Sequence, residues 1–296
     1  MSKLGAFVRL TRPLFLYGGF AGVALGAAVA ASTGRRLDLG TYLWAQALVT
    51  AFHLMAHYAN DYFDRACDAQ ARRTVWSGGS GVLVSGELPP RVALVAALVC
   101  AALGTAVAVR FALAGNALVA GLGLTILVLG WCYSAPPLRF AARGLGEVAT
   151  VAVVAILVPS VGYAAFAGRI DDPILTAVLA PAAAMFAMML CVELPDAVTD
   201  RFAGKRTLVV AWGSARSWQL TTVATGVAIL IAAGTALRLH AGMALVTLLP
   251  AGAAAFQLIR RSTRDPRPAS PALWGVIFYA ALVTGLAALY AFLAPG

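Results

Sequence analysis

Apolar residues run along this chain in nine blocks of about twenty, separated by short polar or charged connections. The blocks fall at roughly 13–32, 41–63, 91–110, 113–133, 148–167, 174–194, 218–238, 241–259 and 273–293. A helix rises 1.5 Å per residue, so the hydrocarbon core of a bilayer takes about 20 apolar residues per crossing. The connections at 110–113 and 238–241 turn their flanking helices into antiparallel hairpins. No segment between the blocks is large enough to fold as an aqueous domain. The pattern predicts an all-α membrane protein with one domain over 1–296 and nine transmembrane helices in one bundle.

Composition agrees. Of the 296 residues, 61% are hydrophobic and 11% charged, at a mean hydropathy of +0.85; a soluble domain carries about 25% charged residues. With the N-terminus inside, the outer connections hold Arg35, Arg36, Arg110, Arg169 and Arg238, and the other 17 of the 22 basic residues are cytoplasmic. The positive-inside rule then sets N-in and, after nine crossings, C-out, as a multi-pass protein of the cell (inner) membrane. Basic residues there orient the chain and meet anionic lipid. The net charge of +10 therefore predicts membrane lipids, and no nucleic acid, as partners. Nine of the twelve acids share that side (Asp61, Asp64, Asp68, Glu87, Glu147, Glu193, Asp196, Asp200, Asp265). They contribute nothing to orientation, so the chemistry is expected to face the cytoplasm.

The N-terminus has the outline of a signal peptide, with Lys3, Arg9 and Arg12 before an apolar run and Ala28-Val29-Ala30 after it. The run is long enough to span, and Arg12-Pro13 forms a membrane-entry corner, so it is expected to stay as the first helix. Cys67, Cys100, Cys132 and Cys191 show no C-x-x-C spacing and predict no disulfide.

Helices one to four and five to eight follow one plan, which predicts two four-helix pseudo-repeats with the ninth helix added. The second helix of each quartet ends in acids: Asn60-Asp61-Tyr62-Phe63-Asp64-Arg65-Ala66-Cys67-Asp68, and Glu193-Leu194-Pro195-Asp196-Ala197-Val198-Thr199-Asp200. Residues three and four apart share a helix face, so Asn60, Asp64 and Asp68 form one stripe and Glu193, Asp196 and Asp200 another. Stacked carboxylates repel unless a cation lies between them. Oxygen-only ligands select a hard ion, and Mg²⁺ held by a few carboxylates completes its shell with water and phosphate oxygens. Each motif is followed by cations: Tyr133 to Arg139 with Arg143-Gly144 after helix four, and Arg201 with Gly204-Lys205-Arg206-Thr207 after the second motif. Arginine is the usual bidentate partner of phosphate. The glycine-rich stretch Ser77-Gly78-Gly79-Ser80-Gly81 is either a flexible connector or an anion-binding loop. Val82-Leu83-Val84 after it predicts a part that packs on the bundle.

Taken in order, these pieces resemble the UbiA superfamily of intramembrane prenyltransferases. The resemblance rests on Arg12-Pro13, Asn60 to Asp68, Gly78 to Leu83, Tyr133 to Arg139, Arg143 to Glu147, and Asp196 to Leu208, and so covers most of the chain. It implies a nine-helix bundle in which two Mg²⁺ ions hold a prenyl diphosphate. It also implies transfer of the isoprenyl group to an electron-rich, usually aromatic or lipid-soluble acceptor. By position, Asn60, Asp64, Asp196 and Asp200 are the implied metal ligands, with Asp61 and Asp68 supporting. Arg139, Arg143, Lys205 and Arg206, together with Arg72 and Tyr133, are the implied diphosphate-binding set. The Glu147-Val148-Ala149 stretch and Ala203-Gly204-Lys205-Arg206-Thr207-Leu208 are similar to the menaquinone branch. That branch has Gln or His, then Asn, where this chain has His53 and His57, and often Asn-Asn where it has Val192-Glu193. Ala69-Gln70-Ala71-Arg72-Arg73 lacks the ubiquinone-branch signature, which leaves the acceptor open.

Two other readings share these features. A terpene cyclase of the same fold has no acceptor. A cation-coupled transporter would place its acids near the membrane midplane on broken helices, whereas here they stand at cytoplasmic ends. His53, His57, Asn60 and Asp64 step by four, three and four residues and share one face. The histidines lie about 10 and 4.5 Å deeper than Asn60. They either tie helices together or meet an acceptor ring, with His57 hydrogen-bonding it or taking its proton.

Overall fold

A computed structural model describes residues 2–70, 79–262 and 270–295. These residues are helices and connections, with no strand among them. A short helix, α1 (Lys3–Leu10), starts on Ser2, whose hydroxyl accepts the Gly5 N–H at 3.2 Å. It buries Ala6 and Leu10 and exposes Leu4 and Val8, so it has one core-facing and one outward face. Arg12 then takes a left-handed turn and Pro13 opens α2 (Pro13–Ser32), where a missing N–H costs nothing. Asp38 caps α3 (Leu39–Asp68) by accepting the Thr41 N–H at 2.8 Å.

Helices α4 (Pro90–Leu113), α5 (Ala117–Ser134), α6 (Gly146–Ala167) and α7 (Asp172–Phe202) follow. A five-residue helix, α8 (Leu208–Trp212), leads into α9 (Ser214–Met243), α10 (Val246–Arg260) and α11 (Ser270–Phe292). Near the end of α9, His240 is extended and its Nδ1 accepts the Met243 N–H at 3.2 Å, at the kink where one helical run gives way to the next. Seven described helices (α2, α4, α5, α6, α7, α9 and α11, the last over Pro271–Phe292) are long and apolar enough to cross a membrane. The other two apolar runs are also helical. α3 has the length but carries Gln46, His53, His57 and Asn60, and α10 is shorter.

Among the described residues, two large apolar cores and a small cluster at Ala236 and Leu289 fill the bundle. One joins α1 through α6 around Phe52, Met55 and Leu48; the other joins α2, α6, α7, α9, α10 and α11 around Met185, Phe278 and Leu282. Helices α2 and α6 belong to both, and their backbones nearly touch. A Cβ added at Gly26 would collide with the Pro159 carbonyl oxygen, and one at Gly162 with the Val23 carbonyl oxygen. Such close crossings need small residues, the usual device for helix association in lipid. The outer face exposes Leu103, Leu113, Leu230, Leu237 and Leu249, the surface a lipid-embedded bundle presents. A π-helical stretch, Val151–Leu157, interrupts α6 beside the gap between the two cores.

Candidate active site

Between the cores lies a cavity of about 340 Å³. Its deep walls are apolar: Phe15 and Gly18 of α2, Val154 of α6, Met185 and Met188 of α7, and Val276 of α11. Its other end is polar and is built from the ends of α3 and α7. Asn60, Asp64 and Asp68 reach it from α3, and Asp196, Asp200 and Lys205 from the end of α7 and the turn after it.

The α3 side is tied at every step. Asn60 Nδ2 donates to Asp64 Oδ2 and to Ser134 Oγ, both at 2.8 Å, while its Oδ1 faces the Arg12 guanidinium at 3.5 Å. Arg12 also lies over the Phe15 ring, 4.4 Å from its centroid. Asp61 is one residue round the helix and faces the loop instead. Its carboxylate accepts the Ser80 N–H (3.1 and 3.2 Å) and the Ser80 hydroxyl. Gly79 holds a left-handed conformation against α3, where any Cβ would strike the Asp68 carboxylate. After this turn Val82 is buried, Leu83 packs partly against the same core and Val84 is exposed, so two of that apolar triplet pack on the bundle.

The α7 side is looser. Pro195 converts the helix into a 3₁₀ turn over Leu194–Asp196, and one more turn, Ala197–Phe202, carries Asp200. Lys205 then folds back. Its N–H donates to the Asp200 carbonyl at 2.9 Å, and its Nζ sits 3.5 Å from Asp200 Oδ1 and 4.0 Å from Asp64 Oδ2. Burial disfavours the Lys205 charge, but Asp64 and Asp200 outweigh it and hold the ammonium pKa above its ordinary value.

The remaining predicted residues divide. Tyr133 lines the cavity, as do His53 and His57, whose rings meet edge to face at 4.6 Å. His57 Nδ1 lies 2.9 Å from the Thr11 carbonyl, so this histidine ties α3 to the corner before α2. Arg139, Arg143 and Arg206 are absent from the cavity wall, and the last two are exposed. Arg72 lies outside the described residues, as do Ser77 and Gly78. Three residues stood in motifs of the sequence without a predicted role at the site. Ser134 stood inside the Tyr133–Arg139 motif, Arg12 beside the proline corner, and Glu147 after Gly146. Their residue types carried a signal and their contacts did not.

Among the described residues, no three His, Cys, Asp or Glu side chains converge as a metal site. The donor set nevertheless fits a hard cation. Asn60 offers an amide oxygen, Asp64, Asp196 and Asp200 offer carboxylates, and an ammonium already occupies the space between two of them. The cavity is thus apolar in its depth and acid-lined at one end, inside a bundle of helices long and apolar enough to cross a membrane.

The profile of the UbiA prenyltransferase family matches residues 20–283. A 1,4-dihydroxy-2-naphthoate octaprenyltransferase of Mycobacterium leprae (strain TN) is 29% identical over 210 residues, 68% of this chain and 70% of that protein. A UbiA homologue from Archaeoglobus fulgidus, solved with GPP and Mg²⁺, superposes with a TM-score of 0.69 at 18% identity, covering 97% of this chain and 99% of that one. The apo structure of a UbiA homologue from Aeropyrum pernix K1 gives 0.67 at 14% identity, covering 90% and 96%. The chain belongs to the UbiA prenyltransferase family, and its activity is that of a prenyltransferase.

Proposed function

We propose that this protein transfers an isoprenyl group from a prenyl diphosphate to an aromatic, quinone-precursor-like acceptor, with Mg²⁺ as cofactor and the site facing the cytoplasm. The Lys205 ammonium between Asp64 and Asp200, at the mouth of an apolar cavity, carries the reading. It marks a place where carboxylates from two helices need positive charge. The A. fulgidus homologue holds GPP and Mg²⁺, and the M. leprae relative is named for a naphthoate acceptor. Both support a diphosphate donor and a dihydroxynaphthoate-like acceptor. The nine apolar runs support nine crossings with the N-terminus inside.

In this reading Asn60, Asp64, Asp196 and Asp200 hold the metal, with Asp68 beside them. Bound Mg²⁺ supplies the positive charge that stabilises diphosphate as a leaving group. Lys205 turns from the carboxylates to diphosphate oxygens, and Arg139, Arg143 and Arg206 extend the positive charge toward the cytoplasm; Arg72 joins the diphosphate-binding set by its sequence alone. Asp61 acts through Ser80, holding the loop against α3. The apolar walls take the isoprenyl chain and exclude water from the allylic carbon. His57 donates its Nδ1 proton to the Thr11 carbonyl, which leaves Nε2 as the acceptor nitrogen of a neutral ring. From that position it hydrogen-bonds the acceptor hydroxyl or takes its proton.

The test is incubation of purified protein with prenyl diphosphates and a panel of phenolic and naphthoic acids, read by product mass. Prenylated aromatic products that require Mg²⁺ are expected. Cyclised hydrocarbon without acceptor, or no Mg²⁺-dependent stabilisation by prenyl diphosphate in a thermal melt, would overturn the reading.

A further inference from the structure

Glu147 is buried at the start of α6, at 1% exposure, and the reaction proposed above gives it no role. Its Oε1 accepts the Leu208 N–H at 2.5 Å, across 61 residues of sequence. Two residues earlier, the Arg206 N–H donates to the Ala142 carbonyl at 3.0 Å. Gly144 is left-handed at φ +73°, and a Cβ there would lie 2.8 Å from the Arg206 carbonyl oxygen. The turn between α5 and α6 is therefore pressed against the turn between α7 and α8. Lys205 lies inside this joint. Its own N–H is held by the Asp200 carbonyl and the next residue's by Ala142.

We infer that Glu147 is a positioning residue: by holding the Leu208 N–H it fixes the 204–208 turn and so sets the Lys205 ammonium between Asp64 and Asp200, where a prenyl diphosphate head will meet it. The inference rests on the diphosphate reading of the site. A buried N–H without a partner destabilises the conformation that buries it, so losing this acceptor lets the turn lift and takes Lys205 with it. Glu147 Oε2 and Glu193 Oε2 are both sealed from solvent without a hydrogen-bond partner. Glu193 lines the cavity, so the joint is backed by a cavity-wall residue of α7.

The geometry separates position from charge. Glu147→Gln keeps a carbonyl oxygen for the Leu208 N–H and removes the charge. Glu147→Ala removes the acceptor. Leu208→Pro removes the donor at the first position of α8, where proline is tolerated, after a Thr207 already at ψ 161°. The readouts are Mg²⁺-dependent binding of a non-hydrolysable geranyl diphosphate analogue, and KM and kcat for the prenyl diphosphate. Glu147→Ala and Leu208→Pro are expected to weaken analogue binding and raise KM about tenfold or more, with the double variant no worse than either single one. Glu147→Gln is expected to stay within about threefold of wild type. If Glu147→Ala does not fold, the contrast between Glu147→Gln and Leu208→Pro carries the same test. Damage by Glu147→Gln equal to that of the donor-deleting variant would assign the role to the charge and overturn the inference, as would additive losses. Wild-type protein that binds no analogue with Mg²⁺ would instead overturn the diphosphate reading itself.

Discussion

The two acidic motifs have similar sequences and different mechanics. On α3 the helix is unbroken to Asp68, and its side chains are already engaged: Asn60 bridges Asp64 and Ser134, and Asp61 holds Ser80. On α7 the helix breaks at Pro195, and the last turn carries exposed Val198 and Phe202 beside Asp200, whose carboxylate meets the flexible Lys205. One half of the site is preset by side-chain hydrogen bonds, and the other is held by an ion pair and the backbone contacts of the turn after it. Preset polar groups cost no reorganisation when charge develops.

The sharpest way to break this comparison is to remove one ligand from each side. Asp64→Asn and Asp200→Asn are each expected to lower turnover by about 10²-fold or more, because metal charge on the leaving group is worth several kcal/mol. They should differ in the resting protein. Asp64→Asn disturbs the Asn60–Ser134 network and should cost about 1–2 kcal/mol, read as a lower Tm without Mg²⁺. Asp200→Asn should leave that Tm unchanged. Equal Tm values would mean that α3 is no more preset than α7.

Next in size is Lys205→Ala. It should weaken prenyl diphosphate binding by about tenfold and leave Asp64 and Asp200 without their ammonium. Mg²⁺ alone should then raise the Tm of this variant more than that of wild type. A smaller Mg²⁺ response would show that Lys205 does not occupy the cation's place.

Asp61→Ala tests the loop rather than the metal. With the Ser80 anchor lost, KM for prenyl diphosphate should rise by roughly threefold to tenfold, and Mg²⁺ affinity should hold. A fall in Mg²⁺ affinity equal to that of Asp64→Asn would make Asp61 a direct ligand. The smallest effect is expected from His57→Asn: a severalfold rise in acceptor KM or a changed acceptor preference, with Mg²⁺-dependent diphosphate binding intact. Loss of diphosphate binding with unchanged acceptor preference would reduce His57 to its tie with Thr11.

The helices were legible because their physics is local. The run at 13–32 is α2 end to end, since Pro13 starts it and Thr33-Gly34 stops it. The short connection at 238–241 falls on the extended His240, where the chain changes helix. The stripe of Asn60, Asp64 and Asp68 followed from helical spacing alone, and these three residues do share the cavity end. What joins across the bundle was not legible. No period in the sequence relates Glu147 to Leu208, Ser134 to Asn60, or Lys205 to Asp64, because those pairings depend on how each helix is rotated about its axis. The basic clusters show the same limit. Lys205, Arg206 and Arg143 were equal candidates by charge, yet Lys205 is turned inward and both arginines are exposed.

The α2–α6 crossing has a mechanical consequence. With glycine on each side and backbone nearly touching backbone, that seam is a rigid spine: it can neither compress nor part without breaking contacts that no side chain can replace. Compliance in the cavity therefore belongs to the facing wall, where Met185, Met188 and Met189 supply unbranched, polarisable side chains. A stiff back and a soft front confine any change in the chamber's width to its α7 wall, while the α2–α6 wall keeps its shape.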